Sequence, residues 1–460
     1  MFRALFLMAK TLIKGAVIVS MDEKIGDLPQ GDILIDGERI AAIAPSIQAD
    51  DAEVIGGEGR IVIPGLINAH MHTWQTALRG VAANWTLLEY FHHMHAGLAT
   101  KFQPDDLYIA TLMGALNQIN CGTTTLVDWC HNNPTPDHTD RAIDGLLESG
   151  IRAGFFHGSP KPDAKPGQKP FWEIPHPQSE IARLRKGRLS DDRGLVTLGM
   201  AILGPHYSTY DVAVADFKLA REYGLIASMH CAGGAARVPD GWDRLRAEGL
   251  LGDNNNIVHG QTLTDEQLRF MLDIGVTFSL TPETEMAQGH GFAITGRLTK
   301  LGGAPSLGVD LESGIGGDMF TVARMAMAAQ RALDNALFRQ ETGNIPETST
   351  VYCRQALSWI TIEGARMLKQ QDRIGSLAPG KQADIVVIKA DEINMWPLHD
   401  PAATVVTQTS LANIEHVLIN GEFKKRDGRL LYKNLQPRMQ ELRASGARIL
   451  RDIGLQTLAA

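Results

Sequence analysis

The chain has 460 residues, 44% of them hydrophobic and 21% charged, with a formal net charge of −8. This is ordinary globular composition, with enough apolar material for two or three domains or for one barrel with an appendage. The acidic balance argues against a nucleic acid or an anionic membrane as the main partner.

The opening MFRALFLMAK is apolar but too short to span a membrane or to serve as a signal peptide, and Met8 is a candidate natural start. No later run approaches about 20 uninterrupted apolar residues, so a soluble, cytoplasmic protein is expected. The cysteines Cys121, Cys130, Cys231 and Cys353 form no CxxC pair and read as reduced, buried thiols.

Residues 12–62 alternate short β-rich runs (LIKGAVIVS, DILIDGERIAAIAP, GRIVIPG) with turn residues. The texture returns in GSLAPGKQADIVVIKA and HVLINGEFKKRDGRLLY. Segments 1–62 and 366–432 are expected to pair into one small β-sandwich built from both termini. The stretch PRMQELRASGARILRDI predicts a helical extension, 433–460, on the outside.

Between these regions, over 63–365, apolar strands alternate with helices. The strands are IVIPGLINAH, TTTLVDW, RAGFFHG, TLGMAILGPH, LIASMH, NIVHG, TFSLTPE and PSLGVD. About eight strands in alternation with helices predict a closed parallel (β/α)₈ barrel, a TIM barrel of the α/β class. One helix starts at Pro104 with two acids behind it and stops before Gly122; another opens with the capping box Thr264-Asp-Glu-Gln267 and closes at Gly275. A third, DMFTVARMAMAAQRALDNALF, carries Met319, Met325 and Met327 as core packing. Gly314, Gly316 and Gly317 lack both the P-loop and the GxGxxG pattern and read as a tight connection.

Polar residues collect at the C-terminal strand ends: His70, His72, Asp128, His157, His206, His230, His259, Glu283 and Asp310. In such barrels that end carries the chemistry. His70 and His72 lie two apart at a strand end, so both imidazoles project to one side and form half of a metal site.

The ordered set PGLINAHMHT, ALRG, CGTTTLVD, GPHYS, ASMHC, IVHG, SLGVD and GSLAPGKQADIVV resembles the amidohydrolase superfamily. The likeness is to its branch of triazine hydrolases and of S-adenosylhomocysteine, guanine and cytosine deaminases. It covers nearly the whole chain. The resemblance implies that His70, His72, His230 and Asp310 bind one divalent metal, Zn²⁺ first, with Fe²⁺, Co²⁺ or Mn²⁺ as options. It implies that His259 contacts the attacking water and that His206 meets the substrate. Two-metal members use a modified lysine ending the fourth strand; here that strand ends in Gly-Pro-His206, which implies a single metal. Relatives imply a homo-oligomer, a dimer or tetramer. Asp310 is suited to take the proton of the attacking water, and His259 to hold the nucleophile or stabilise the oxyanion.

His157 and Trp85 are further substrate-binding candidates. Trp85 occupies the region where such deaminases stack a ring, with core or lid packing as the alternative. His92, His93 and His95 read as a helical segment near the pocket mouth rather than as a second metal site. Segment 158–178 is a lid or a solvated connector.

The family pattern breaks in one place. Deaminases and triazine hydrolases of this branch carry HxxE after the fifth strand, where the glutamate passes protons; here the run is His230-Cys231-Ala232-Gly233. The acid-rich end of the seventh strand offers Glu283 as a replacement donor, with Glu285 as a less favoured neighbour. The expected activity is hydrolysis of an amide, urea, carbamate or amidine-like C–N bond in a small molecule. The alternatives are a deaminase or dechlorinase acting on a purine, pyrimidine or triazine ring and, in another class, a catalytically silent metal- or ligand-binding barrel.

Overall fold

The apolar runs of the middle region become eight parallel strands: Leu66–Met71, Thr123–Cys130, Arg152–Gly158, Val196–Ile202, Ala227–Cys231, Asn255–His259, Thr277–Leu280 and Ser306–Leu307. The computed structural model describes residues 10–453, so the expectations for MFRALFLMAK and Met8 lie largely outside the described residues, as does the end of the C-terminal extension. The strands pair in chain order in one sheet. Both faces are covered, which is why these strands read as continuous apolar runs instead of alternating ones. The ring closes where the eighth strand returns to the first. There the Asp310 N–H donates to the His70 carbonyl at 2.9 Å and the His72 N–H to the Asp310 carbonyl at 2.7 Å. Gly308 permits this approach, because a Cβ there would run into the His70 backbone.

Helices cover the outside. Pro104–Asn120 begins with proline at its start, and Asp265–Asp273 is held by the Thr264/Gln267 capping box. Met319–Thr342 is capped by the Asp318 side chain. Its Met319 and Met327 are buried, whereas Met325 is 37% exposed and packs in no core. The seventh strand's tail at Glu283 and Glu285 is helical, not extended: Pro282–Ala287 is a short helix.

The β-rich ends pair as expected into one small, mostly antiparallel nine-stranded sheet, in which Ile385–Lys389 runs antiparallel to Arg60–Pro64. Its own core contains Ile13, Ile18, Ile33, Ile385 and Val387. Arg152, at the base of the third barrel strand, joins the two parts through an ion pair with Asp384 at 2.8 Å, the side chains 2% and 3% exposed. The helix Leu435–Arg451 lies against Pro104–Asn120, with the Ser445 hydroxyl donating to Asp106 at 2.7 Å. Among the described residues no helix is long and apolar enough to cross a membrane.

Candidate metal centre and its cavity

Parallel registry brings the strand ends to one face: Met71 is bridged to both Asp128 and Asp310, and Cys231 pairs with His259. On that face His70, His72, His230 and Asp310 turn inward, with one donor atom from each within 4.8 Å of the others. His70 Nε2 and His72 Nε2 both lie 3.3 Å from Asp310 Oδ1, and His70 Nε2 faces His230 Nε2 at 3.2 Å. These separations match the edges of a tetrahedron with metal–nitrogen bonds of about 2.0–2.1 Å. His72 Nδ1 donates to the Trp129 carbonyl at 2.7 Å, which assigns its proton to that side and leaves Nε2 as a donor to a cation. Burial pushes His70 down to about 3 and His230 well below the usual histidine range. Neutral imidazoles are what a cation requires. Burial pushes the Asp310 carboxyl upward, but hydrogen bonds from His70 and His72 outweigh it and hold the group well below the usual range. The four residues fit one divalent metal, and zinc suits three nitrogens with one oxygen.

His259 ends the sixth strand with φ +71°, a conformation unusual outside glycine. It stacks on His230 with ring centroids 5.3 Å apart. Its Nδ1 lies 3.0 Å from Glu285 Oε1 and 3.2 Å from Thr281 Oγ1. The Thr281 hydroxyl also donates to Asp310 Oδ2 at 3.4 Å. Glu285 is fully buried; its Oε1 accepts from the Thr281 N–H at 3.0 Å, and Oε2 has no protein partner. Burial pushes Glu285 up to about 7 and His259 down to about 4. Glu285 and His259 can therefore share one proton near neutrality and present Nε2 of His259 either as donor or as acceptor.

A narrow cavity opens onto this centre. Its lining includes His72, His230, His259 and Asp310 together with Tyr90, Phe91, His95, His131, Lys161, Tyr207, Gln288 and His290.

Four residues expected at the pocket from the sequence are not in that lining. Glu283 sits half-buried on the first turn of Pro282–Ala287, with burial and then Asp318 raising its pKa. Two residues further on, the helical turn points Glu285 inward, so the inward acid is Glu285 and not Glu283. His206 is tucked beneath the fifth strand's end, its Nε2 2.8 Å from the Ala232 carbonyl; its neighbour Tyr207 reaches the cavity instead. His157 is engaged by His176 at 2.9 Å and by Thr139 at 3.3 Å. Trp85 packs on His93 with centroids 5.1 Å apart. His95 lines the cavity 3.2 Å from His131, nitrogen to nitrogen, while His92 and His93 do not. Sequence reading passed over His131, although it follows the second strand directly, and over Lys161, hidden in a lysine- and proline-rich connector.

Gly233 has φ +79°, and a Cβ there would collide with Leu87 Cδ2. The positive φ disfavours any side chain at this position, and a longer residue would also have to displace the tip of Leu87.

Residues 61–424 match the model of the amidohydrolase family. The chain is 26% identical over 449 residues to 5-methylthioadenosine/S-adenosylhomocysteine deaminase of Caldicellulosiruptor saccharolyticus, covering 94% of this chain and 97% of that protein. It is 26% identical over 423 residues to 5'-deoxyadenosine deaminase of Methanothermobacter thermautotrophicus, covering 88% and 91%. The zinc complex of atrazine chlorohydrolase from Arthrobacter aurescens TC1 superposes with a TM-score of 0.83 at 22% identity, covering 95% of this chain and 100% of that one. A zinc-bound adenosine deaminase from Xanthomonas campestris gives 0.81 at 22%, covering 96% and 98%. These two structures are likenesses of fold.

Proposed function

The chain belongs to the amidohydrolase family and is a metal-dependent hydrolase of carbon–nitrogen bonds in small molecules; from that premise we propose that the bond it cleaves is amide-like, in an amide, urea, carbamate or amidine. The observation that carries this reading is Gly233. Ring deamination in this branch relies on an acid at that position, worth about 10²–10⁴ in rate. Here that position is a glycine at φ +79°, which supplies no acid. An amide-like substrate passes through a tetrahedral intermediate, for which one relayed proton suffices. The alternative of a silent binding barrel gives way to the family membership and to the intact donor set.

A divalent cation held by His70, His72, His230 and Asp310 would lower the pKa of water from 15.7 to about 7 and polarise the carbonyl. The rest falls to the chain's own side chains. Asp310 takes the proton of the attacking water and returns it to the leaving nitrogen. Thr281 keeps Asp310 Oδ2 oriented for that transfer. His259 presents Nε2 to the developing oxyanion, and Glu285 on Nδ1 sets which form of the imidazole is present. Glu285 replaces Glu283 in this scheme because it reaches His259. The small-molecule substrate sits among Tyr90, Phe91 and Tyr207. We further assign the protein to the cytoplasm, supported by four cysteines that form no disulfide, and as a dimer or tetramer, which light scattering would test.

A second reading, an aminohydrolase acting on a purine-like ring, draws support from the names of the curated relatives. The experiment is a panel on zinc-loaded protein: N-aryl amides and phenylureas scored for released aniline, against adenosine, 5'-deoxyadenosine, S-adenosylhomocysteine, guanine and cytosine scored for ammonia. Aniline release supports the proposal. Ammonia from the nucleosides with no aniline from any anilide or urea overturns it.

A further inference from the structure

The segment 158–178 holds a lysine that neither a lid nor a solvated connector accounts for. Lys161 keeps part of its stem at solvent, but its ammonium end is enclosed in the cavity wall. Nζ lies 5.5 Å from the ring centroid of Trp129 and 5.7 Å from that of Tyr207. The Trp129 ring also packs 4.2 Å from His230, so the ammonium and the metal-ligand group share an aromatic neighbour. Among the described residues Nζ makes no hydrogen bond and no ion pair. Asp216 lines a small adjoining cavity together with Lys161, but its carboxylate accepts from the His176 N–H at 2.8 Å and makes no ion pair with the lysine. Asp310 is the carboxylate whose field reaches Nζ, and it is already committed to His70 and His72.

An ammonium taken out of water without an anionic partner is costly. The faces of Trp129 and Tyr207 offset part of that cost through cation–π attraction. The rest calls for a partner that enters with the ligand. The cavity lining adds polar atoms without protein partners: Gln288 Nε2, a donor, and the two ring nitrogens of His290, one donor and one acceptor in the neutral ring, are buried and unpaired.

We propose that Lys161 determines substrate specificity by binding a carboxylate on the substrate, so that the natural substrate is a small, flat amide- or urea-type molecule carrying an acid group. The flat body is set by the aromatic walls Tyr90, Phe91 and Tyr207. The acid group meets Lys161 while the scissile carbon lies over the metal-ligand group. The assignment rests on the amide-type reading for the identity of the scissile bond, but the carboxylate recognition does not.

The test uses benzoate and its neutral isostere benzamide as probes, with equilibrium binding by calorimetry on both zinc-loaded and metal-free protein. Wild type should bind benzoate in both forms and more tightly than benzamide. Lys161→Met should lose about 10–100-fold in benzoate affinity, the range of a charge-assisted hydrogen bond, and keep its affinity for benzamide. Lys161→Arg should stay within a few-fold of wild type. In turnover, 4-acetamidobenzoate should be preferred over 4-methylacetanilide, and Lys161→Met should erase the preference through KM with kcat little changed. Benzoate affinity unchanged in Lys161→Met, or benzamide affinity falling equally, would overturn the proposal. Failure of the amide reading would show instead as no aniline-type product from either substrate while the benzoate measurements still hold.

Discussion

Glu285→Gln isolates the pair that the structure places behind the reacting centre. Glutamine is nearly isosteric, and its carbonyl oxygen can still accept from His259 Nδ1 and from the Thr281 N–H, the two contacts of Glu285 Oε1 at 3.0 Å each. What disappears is the charge. A hydrogen bond to a charged group contributes about 1.5–3 kcal/mol against about 0.5–1.5 for a neutral one. The difference, about 1–2 kcal/mol, becomes a loss of roughly 5–30-fold in kcat. Steady-state hydrolysis of an anilide, with zinc content measured in parallel, reads it. Zinc should remain at the wild-type level, because Glu285 belongs to no metal ligand pair. Stability should move the opposite way. Burial raises this carboxyl to about 7, above its unfolded value, so the folded protein binds its proton more tightly. Its unfavourable contribution is therefore absent below the unfolded pKa, grows as pH rises, and is complete above about 7. For metal-free protein at pH 8 the substitution should then stabilise the fold by up to about 3 kcal/mol, seen as a raised Tm that disappears near pH 4. An unchanged kcat, or a Glu283→Gln variant that loses as much as Glu285→Gln, would refute the pairing of Glu285 with His259.

Three further outcomes follow from particular contacts. Gly233→Glu should lower stability by about 1–3 kcal/mol, from a strained positive φ and the collision with Leu87, and should create no deaminase activity; a stable variant releasing ammonia from nucleobases would contradict this. Arg152→Met should cost about 3–5 kcal/mol in denaturant unfolding, because it strands Asp384 as a buried unpaired carboxylate between barrel and small sheet. Chelation of the metal should lower Tm, with wild type regaining about 2.7 kcal/mol when free zinc is restored to 100 times its Kd, whereas His70→Ala should show no such gain.

The barrel was legible in the chain because parallel strands buried on both faces must be apolar until they end, and their polar ends must then share one rim. His70, His72, His230 and Asp310 could be picked out for that reason, and the helix starts at Pro104 and Thr264 because capping is local chemistry. From the sequence, Glu283 is preferred to Glu285 with no conformational reason to part them. Read as a strand tail they are equivalent, since both fall on one side of an extended chain. Pro282 starts a helix there, and a helical turn sends the two carboxylates to different places. His206 and His157 carry the right side chains at the right strand ends, but partners distant in sequence, the Ala232 carbonyl and His176, claim their rings. Lys161 lay in a segment whose composition spells a solvated connector, and only the path of the backbone brings its ammonium beside Trp129.

The most direct measurement is anomalous diffraction at the zinc edge from crystals of zinc-loaded protein. One peak per chain is expected, within bonding distance of Nε2 of His70, His72 and His230 and of Asp310 Oδ1, and it should vanish in Asp310→Asn together with hydrolysis. A peak elsewhere, such as between His95 and His131, or full hydrolysis by Asp310→Asn, would contradict the assignment of this centre.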